Sequence, residues 1–307
     1  MELRHLQYFV AVAEAKSFTK AARRLGIQQP PLSLQIRKLE KEMGTQLFYR
    51  GTRGVELSGT GRLLLEQARV ILRQVEQTKT DVQRRARGET GRVNVGFGVG
   101  TQFHPLVPSI IREYGAHYPK VLMCPQANGS ALLVARLLAG TIDVAFIYVP
   151  ISNNIEELAI ETLAEEPLVA VLPMGHRLAK SSSLHLRELA DEPFVIFPRE
   201  LNPANYDTVI SAVESASGAL KLGQQAPLNI AAVPMVAAGM GWSVVPQSFS
   251  RVLPGDVAYV PIDDDMPSST IALARRRDER SAAVQNFVTC ARKQANQRFA
   301  HKVLVKA

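Results

Sequence analysis

The stretch SFTKAARRLGIQQPPLSLQIRKLE, residues 17–40, predicts two short helices joined by a tight turn. Ser17 or Thr19 can cap the first helix, because a short side-chain oxygen accepts a hydrogen bond from a free backbone N–H. Gly26 suits the left-handed residue that commonly ends a helix. Two consecutive prolines then fit the first turn of the second helix, where their missing N–H groups cost nothing.

The second of these helices has two chemically different faces. Its apolar stripe consists of Leu32, Ile36 and Leu39, at spacings of four and three. The opposite face carries hydroxyl, amide and basic side chains, namely Ser33, Gln35, Arg37 and Lys38. An apolar back and a polar front are what a helix needs to enter the major groove of DNA. An ordinary helical hairpin in a protein core is the alternative interpretation.

The charge of the chain is concentrated beside this hairpin. The 307 residues carry a net charge of +8. Residues 1–90 contain 17 Lys and Arg against 9 Asp and Glu, whereas residues 91–307 contain 19 of each kind. A basic N-terminal part on a neutral body indicates that this part alone binds a polyanion. A solvated basic surface would not explain the segregation.

A basic β-hairpin is predicted directly after the two helices. In LFYRGTRGVELS, residues 47–58, apolar and polar residues alternate around two turn glycines, with Arg50 and Arg53 at the tip. Beside a DNA-reading helix, such a hairpin is typical of a wing whose arginines contact phosphates or the minor groove. A solvated loop is the alternative.

A long helix is predicted from about residue 61 to residue 85, because no helix-breaking residue follows Gly61 in this segment. Its apolar positions recur at alternating spacings of four and three, the pattern of a two-stranded coiled coil: Leu64, Ala68, Ile71, Val75, Thr78 and Val82. We expect this stripe to pair with a second copy of the chain, which would bring two reading helices to one DNA. Packing on the chain's own C-terminal body is the alternative.

From residue 91 onward the pattern changes to α/β. Short apolar strands alternate with helical segments, which predicts a parallel or mixed sheet wrapped by helices. Two groups of strands, before and after about residue 162, indicate two lobes, and the chain should return to the first lobe near residues 266–275. A cleft between lobes, at the carboxyl ends of strands, is the natural place for a small molecule.

Three polar stretches of this part could contact a ligand. Residues 128–130, Asn-Gly-Ser, open a predicted helix whose N-terminus favours a carboxylate, although the same residues could simply cap the helix. Arg199 could form a forked pair with a ligand carboxylate, or a surface ion pair with Glu200 or Asp207. Asn229 opens another predicted helix that should face the cleft.

Signals of catalysis or of a cofactor are weak. The fragment GFGVG at residues 96–100 lacks the glycine spacing of a dinucleotide site. The six histidines show no metal-ligand spacing, and neither a G-x-S-x-G motif nor a Walker loop occurs. We therefore expect no catalytic residue, no metal and no cofactor. An enzyme that uses the N-terminal part only to localise itself is the alternative class of protein.

The sequence also predicts a cytoplasmic protein without a membrane partner. No apolar run approaches the roughly 18 residues that span a bilayer, and the amphipathic N-terminus is unlike a secretory signal. Cys124 and Cys290 should then be reduced. Two buried structural thiols are the expectation, and a redox sensor is the alternative.

Together these segments resemble the LysR-type transcriptional regulators over nearly the whole chain. The resemblance lies in residues 3–40, in GTQLFYRGTRGVELSGTG, in the long helix, and in LLAGTIDVAFIY, HRLAK and AAGMGWSVVP. It implies a winged helix-turn-helix domain (1–60), a dimerising linker helix and hinge (61–90) and a two-lobed effector-binding domain like periplasmic binding proteins (91–307), with lobe I at 91–161 and 266–307 and lobe II at 162–265. It also implies tetramers on DNA and a small-molecule effector.

The resemblance also implies the residues of both sites. DNA would be contacted by Gln28, Gln29, Pro30, Pro31, Ser33, Gln35, Arg37, Arg50 and Arg53. The effector would be contacted by Gly100, Thr101, Gln102, Asn128, Ser130, Pro198, Arg199, Asn202 and Asn229. The stretch IFPRELNPANYD is most similar to members that sense muconate, benzoate and related acids, so an anionic effector is expected. Two positions depart from the family pattern: Gln28 replaces the usual Ser or Thr, and Leu34 stands where many members have a polar or basic reader.

Overall fold

The computed structural model describes residues 1–51, 54–151, 155–251 and 255–305, with side chains as far as residue 297. It divides into two compact units, Met1–Arg84 and Arg85–Ala307. Arg53, a predicted DNA contact, lies outside the described residues. Within the described part of the chain, no helix has the length and apolar character needed to cross a membrane.

The N-terminal unit consists of helices followed by a two-stranded hairpin and a long helix. Its elements are α1 Leu3–Ala15, α2 Phe18–Leu25, α3 Gln29–Met43, β1 Phe48–Gly51, β2 Gly54–Leu57 and α4 Gly59–Ala86. The strands pair antiparallel, with Phe48 opposite Leu57. The helix-turn-helix and wing predicted from residues 17–58 are therefore confirmed, although the tip of the wing is not described.

The turn between α2 and α3 forms for the reasons visible in the sequence. The Ser17 hydroxyl accepts a hydrogen bond from the Lys20 N–H at 3.3 Å, which caps α2. Gly26 ends α2 in the left-handed conformation, with φ at 69°. The stripe of Leu32, Ile36 and Leu39 is fully buried. The apolar face of α3 is therefore fixed inward, and its other face is fixed outward.

The Arg85–Ala307 unit is α/β. In chain order its elements are β3 Gly91–Gly98, α5 Leu106–His117, β4 Val121–Asn128, α6 Ser130–Leu138, β5 Val144–Val149, β6 Leu158–Glu166, β7 Leu168–Pro173, β8 Phe194–Ile196, α7 Pro203–Ser217, β9 Leu222–Gln225, α8 Ala232–Ala237, β10 Ser243–Pro246, β11 Val257–Pro261, β12 Ser269–Arg276 and α9 Ala282–Val305. Short 3₁₀ turns include Thr101–Phe103, Arg199–Leu201, Asn229–Ala231 and Gln247–Arg251.

Two main sheets organise this unit into two lobes. Lobe I contains the five-stranded sheet with order β4-β3-β5-β12-β6, in which β3 runs parallel to β4 and β5 while β12 is antiparallel to β5 and β6. Lobe II contains the antiparallel sheet β10-β7-β11 and the parallel pair β8-β9. The mixed α/β architecture predicted from the sequence is confirmed.

The chain passes between the lobes twice. It leaves lobe I after β6, which ends at Glu166, and returns with β12, which begins at Ser269. The predicted lobe boundary at residues 161 and 162 thus falls inside β6, a strand that the sequence analysis did not anticipate. At the first crossing, the buried Glu166 carboxylate accepts hydrogen bonds from the N–H and the hydroxyl of Ser248, at 2.7 and 2.9 Å. These bonds tie the end of β6 to the turn after β10.

Candidate DNA-binding surface and effector cleft

The exposed face of α3 is the candidate DNA-binding surface. The helix begins at Gln29, with prolines in its first turn. Most of the predicted contacts on or beside this helix are exposed, namely Gln28, Gln29, Pro30, Pro31 and Arg37. Two neighbouring residues, Leu34 and Lys38, are also exposed. Leu34 is 52% exposed, so an apolar side chain lies among polar and basic ones. It can contact a thymine methyl group but cannot form a hydrogen bond with a base.

Ser33 and Gln35 differ from the other predicted DNA contacts. Ser33 is buried, and its hydroxyl accepts a hydrogen bond from the Gln29 amide at 3.2 Å. Gln35 is partly buried against α1, and its Oε1 atom lies 2.9 Å from Nε2 of His5. Helical periodicity alone could not separate these two flanking positions from the exposed ones.

The wing contributes Arg50 from β1. This side chain is exposed, and its guanidinium lies over the ring of Phe18 at 4.7 Å from the centroid. A cation above an aromatic face is attracted by the ring quadrupole, and the contact leaves the N–H donors at the guanidinium edge accessible. The contact with Phe18 therefore favours this position of Arg50 and leaves the side chain able to contact a phosphate.

The apolar stripe of α4 is divided between two environments. Its first members, Leu64 and Ala68, pack into the core of the N-terminal unit, and Ala68 is fully buried. Farther along, Ile71 and Val82 are 37% and 64% exposed. They belong to a shallow apolar groove lined by Val70, Ile71, Gln74, Val75, Thr78, Lys79, Val82 and Gln83. The expectation of one continuous self-pairing stripe is therefore wrong for Ala68, which the core of its own unit buries.

The two lobes of the α/β unit enclose a cavity of about 330 Å³. Lobe I supplies the end of β5 and the start of β12, and lobe II supplies the start of β7, the residue after β8, part of β10 and part of α7. The lining residues are Tyr148, Val149, Pro150, Leu168, Phe197, Asn205, Thr208, Val209, Asn229, Val244, Pro246, Pro267, Ser268, Ser269 and Thr270. A smaller cavity of about 30 Å³ adjoins it, with Tyr148, Phe197, Asn205 and Asn229 lining both. None of the lining residues described for either cavity carries a charge.

Three of the predicted effector contacts line these cavities. Ser130, the first residue of α6, and Asn202 line the smaller cavity, and Asn229 lines both. Asn202 already has two structural roles: its amide nitrogen donates to the Tyr148 carbonyl at 3.2 Å, and its oxygen caps α7 by accepting from the Asn205 N–H at 3.3 Å. Asn202 thus ties α7 of lobe II to β5 of lobe I. Asn128 ends β4, two residues before Ser130.

Gly100, Thr101 and Gln102 shape the turn after β3 and do not line the described cavities. The backbone of Gly100 is left-handed, with φ at 96°, and a Cβ atom there would lie 2.2 Å from the Phe249 ring. The Thr101 side chain is buried, and its hydroxyl donates to the Gly98 carbonyl at 2.8 Å. The Gln102 Oε1 atom is buried and has no hydrogen-bond partner within the described residues.

Arg199 has a protein partner. Pro198 precedes the 3₁₀ turn that begins at Arg199, and the exposed Arg199 guanidinium donates two hydrogen bonds to Asp207, at 2.7 and 2.6 Å. The Asp207 hydrogen bond raises the pKa of Arg199, and the same bond lowers the pKa of Asp207. Arg199 is not among the cavity-lining residues. Of the two interpretations left open by the sequence, this geometry matches the surface ion pair.

Tyr148 is a cleft residue that sequence reasoning missed. It lies near the carboxyl end of β5, is 5% exposed, and lines both cavities. Its hydroxyl has no hydrogen-bond partner among the residues that the structure describes. Burial, with a smaller contribution from the Glu166 carboxylate, raises the pKa of Tyr148 well above its ordinary value. The segment DVAFIY predicts a buried strand, but its position at a strand end could have marked Tyr148 as a ligand contact.

The cysteines lie apart in lobe I. Cys290 is buried, and burial raises the pKa of its thiol, as expected for a structural residue. Cys124 is only partly buried, and its sulfur accepts a hydrogen bond from the Arg92 guanidinium at 3.0 Å. The expectation that both thiols are buried is therefore wrong for Cys124, which lies on β4 at the edge of the sheet. No cluster of three or more metal-ligating side chains occurs in the described residues.

Both parts of the chain match family models. Residues 3–62 match the bacterial regulatory helix-turn-helix protein model of the lysR family, and residues 86–296 match the LysR substrate binding domain. The transcriptional regulator AlsR of Bacillus subtilis is 37% identical over 288 residues, which cover 94% of each chain. The transcriptional regulator CatR of Pseudomonas putida is 36% identical over 297 residues, which cover 96% of this chain and all of CatR.

Solved structures agree with these matches. The crystal structure of CbnR, a LysR family transcriptional regulator, superimposes with a TM-score of 0.82 at 29% identity, covering 95% of this chain and all of CbnR. Full-length CbnR in complex with its target DNA gives a TM-score of 0.80 at 28% identity, covering 96% of this chain and all of CbnR. The chain therefore belongs to the LysR family and is a DNA-binding transcriptional regulator, not an enzyme, that responds to an effector through its substrate-binding domain.

Proposed function

We propose that the effector of this regulator is a compact carboxylic acid that binds in the cavity between lobes I and II. The observation that carries this proposal is the 330 Å³ cavity itself, whose size lies within the range of small-molecule sites. Leu168, Phe197, Val209 and Val244 give it an apolar wall. Hydroxyl and amide groups surround that wall, so a ligand with an apolar body and a polar end fits its chemistry.

The carboxylate of this ligand would bind at the N-terminus of α6. This helix has nine residues and begins at Ser130, which is buried beside the cavity. The first N–H groups of a helix point outward, and the helix dipole favours a negative charge there. Since no lysine or arginine is found among the described lining residues, this helix end is the best-supported site for an anion. Asn229 would complete the polar end.

Six of the predicted effector contacts have indirect roles in this proposal. Gly100, Thr101 and Gln102 would shape the turn after β3, and Asn202 would hold α7 against β5. Asn128 would position the end of β4, and Pro198 would position Phe197, the residue that follows β8. A direct role for Arg199 stays a prediction, because a ligand would first have to displace its two bonds to Asp207.

On DNA, the exposed end of α3 would enter the major groove while Arg50 of the wing contacts the backbone. The solved complex of full-length CbnR with its target DNA, at 28% identity, supports DNA binding by a chain of this fold. Pairing of two chains would bury the α4 groove that contains Ile71 and Val82, and two such pairs would form the tetramer. Two α3 helices would then contact half-sites about one helical turn apart or a multiple of it.

A thermal-shift screen tests the effector proposal. Aromatic and aliphatic mono- and dicarboxylic acids are compared with their own primary amides, on the full-length protein. Because a ligand that binds only the folded state stabilises it, an acid at about 100 times its Kd adds about 2.7 kcal/mol to the free energy of unfolding. We expect several acids to raise Tm by several degrees and their amides to do so less.

A matched pair of variants locates the ligand. Thr208 lines the cavity, and its hydroxyl donates a hydrogen bond to the Ala204 carbonyl within α7. Thr208→Trp fills the cavity and should abolish the acid-induced shift, whereas Thr208→Val keeps its volume and should preserve the shift. An equal shift in both variants would place the ligand elsewhere, and no shift from any acid would overturn the carboxylate class.

A further inference from the structure

The imidazole of His5 joins the start of α1 to the DNA-facing helix α3. His5 is 9% exposed. Its Nδ1 atom accepts a hydrogen bond from the Glu2 N–H at 3.3 Å, which forms half of the capping box that begins α1. Its Nε2 atom lies 2.9 Å from Oε1 of Gln35. One ring therefore makes a hydrogen bond on each side.

These two bonds determine which ring nitrogen carries the proton. A backbone N–H can only donate, so Nδ1 must present its lone pair and carry no hydrogen. A neutral imidazole then carries its proton on Nε2. The Nε2–H group is a donor, and the atom of Gln35 that faces it must be the amide oxygen. The orientation of the Gln35 amide follows from this chain of donors and acceptors.

The fixed amide leaves its NH₂ donor without a partner among the described residues. With Oε1 directed toward His5, the Gln35 NH₂ group occupies the other side of the side chain, and it has no hydrogen bond to any described residue. A glutamine recognises adenine bidentately by donating to N7 and accepting from N6 at the same time. In Gln35 one lone pair of Oε1 already faces His5, which turns the oxygen away from this bidentate geometry and leaves the two N–H donors of the amide as the groups best placed to bind.

We propose that His5 is a positioning residue that fixes Gln35 as a donor to an acceptor atom of the operator. The partner is a base acceptor, such as guanine N7 or O6 or thymine O4, or else a backbone phosphate oxygen. The proposal rests on Gln35 contacting DNA, which the family resemblance implies. His5 contributes to DNA binding without touching DNA, and its effect passes through one side chain of α3.

Two substitutions of His5 separate its two bonds. His5→Asn places an amide near the Nδ1 position, so it can still cap α1, but it cannot reach Gln35. His5→Gln places an amide NH₂ near the Nε2 position, so it can donate to Gln35, but it loses the cap. We expect His5→Asn to keep Tm and weaken DNA binding, and His5→Gln to lower Tm slightly and keep DNA affinity. A merely structural role would make the two readouts change together.

The probe is a duplex that the full-length protein selects from a random-sequence library, with Kd measured by fluorescence anisotropy at fixed salt. Gln35→Ala and His5→Asn should each weaken binding about fivefold, the size of one hydrogen bond, and the double variant should be no weaker than Gln35→Ala alone. The variants and the parent protein are also compared on duplexes that differ by a single base. If a variant no longer discriminates between bases at one position, the partner of Gln35 is a base acceptor. If the affinity of a variant falls equally for all of these duplexes, the partner is a phosphate.

Three results would overturn the proposal. Unchanged affinity in Gln35→Ala would remove the premise that Gln35 contacts DNA, whatever His5 does. Additive effects of the two substitutions would show that His5 acts independently of Gln35. A ¹⁵N spectrum that places the His5 proton on Nδ1 would reverse the amide orientation, whereas a proton on Nε2 supports the donor assignment.

Discussion

The DNA-facing surface and the interlobe cavity are built in opposite ways. The first lies on one helix and the strand after its turn, with its described residues within positions 28–50. The second gathers side chains from positions 148 to 270, contributed by both lobes. A helix face is visible in sequence because it is the complement of the buried stripe. A cavity forms only where segments that are distant in sequence meet, so sequence patterns predicted few of the residues that line it.

The largest effect is expected from separating the paired chains. Ile71→Glu combined with Val82→Glu places two charges in the apolar groove of α4 and should dissociate the dimer. Since linking two binding modules typically strengthens binding by about 100-fold or more, operator affinity should fall by at least about that factor. Sedimentation and anisotropy on the same samples check this. Gln77→Glu, on another face of α4, is the control and should remain dimeric. A dimeric double variant would show that the chains pair elsewhere.

An intermediate effect is expected at the polar end of the cavity. Ser130→Ala removes a hydroxyl beside the proposed carboxylate site but leaves the backbone N–H groups of α6 in place. Loss of one hydrogen bond to a charged group should weaken an acid ligand by about tenfold, with no change in operator binding by the ligand-free protein. Calorimetry with the acid and with its amide gives the comparison. Equal weakening of both ligands would contradict a carboxylate at this position.

A smaller effect concerns the buried hydroxyl of Tyr148. Because burial raises the pKa of Tyr148, the folded protein holds this proton more tightly than the unfolded chain does. The associated stability is present below the unfolded pKa of about 10 and is lost as the pH rises above it. Tyr148→Phe should therefore lose less stability than the parent protein between about pH 9 and pH 11, as measured by thermal unfolding. Identical alkaline losses would mean that Tyr148 is not buried in solution.

The smallest effect is expected at Arg199. Its guanidinium is exposed and bonded to Asp207, so Arg199→Ala should change acid affinity by less than about twofold, the scale of an exposed ion pair. Asp207→Asn is the matched control, because it releases the same guanidinium without removing it. A loss of about tenfold in Arg199→Ala alone would restore the direct contact that the sequence had suggested and would move the carboxylate away from α6.

Sequence predicted the fold wherever local chemistry determines it. The Ser17 cap, the left-handed Gly26 and the stripe of Leu32, Ile36 and Leu39 all act within one or two turns of helix, and each was found. Two strands lack the continuous apolar run that predicts a buried strand. β9 has four exposed residues and no apolar signal, and β6 interrupts its apolar residues with Glu161 and Glu165.

At both sites, the features that the sequence did not reveal share one physical cause. Ala68 fits a coiled-coil stripe by spacing, yet neighbours in the fold bury it. Arg199 suits a carboxylate by chemistry, yet Asp207, eight residues later, already provides one. Gln35 belongs to the polar face of α3, yet its amide is oriented by His5, 30 residues earlier. In each case helical periodicity does not identify the partner residue, which only the tertiary structure shows.

Control of DNA binding through the interlobe cavity is tested by the operator footprint of the full-length protein, recorded with and without an acid that stabilises it. Three proteins are compared: the parent, Thr208→Val and Thr208→Trp. We expect the acid to change the footprint of the parent and of Thr208→Val, while the footprint of Thr208→Trp stays that of the ligand-free protein. Unchanged footprints in the parent at a saturating acid concentration, or an equal change in all three proteins, would contradict control of DNA binding through the interlobe cavity.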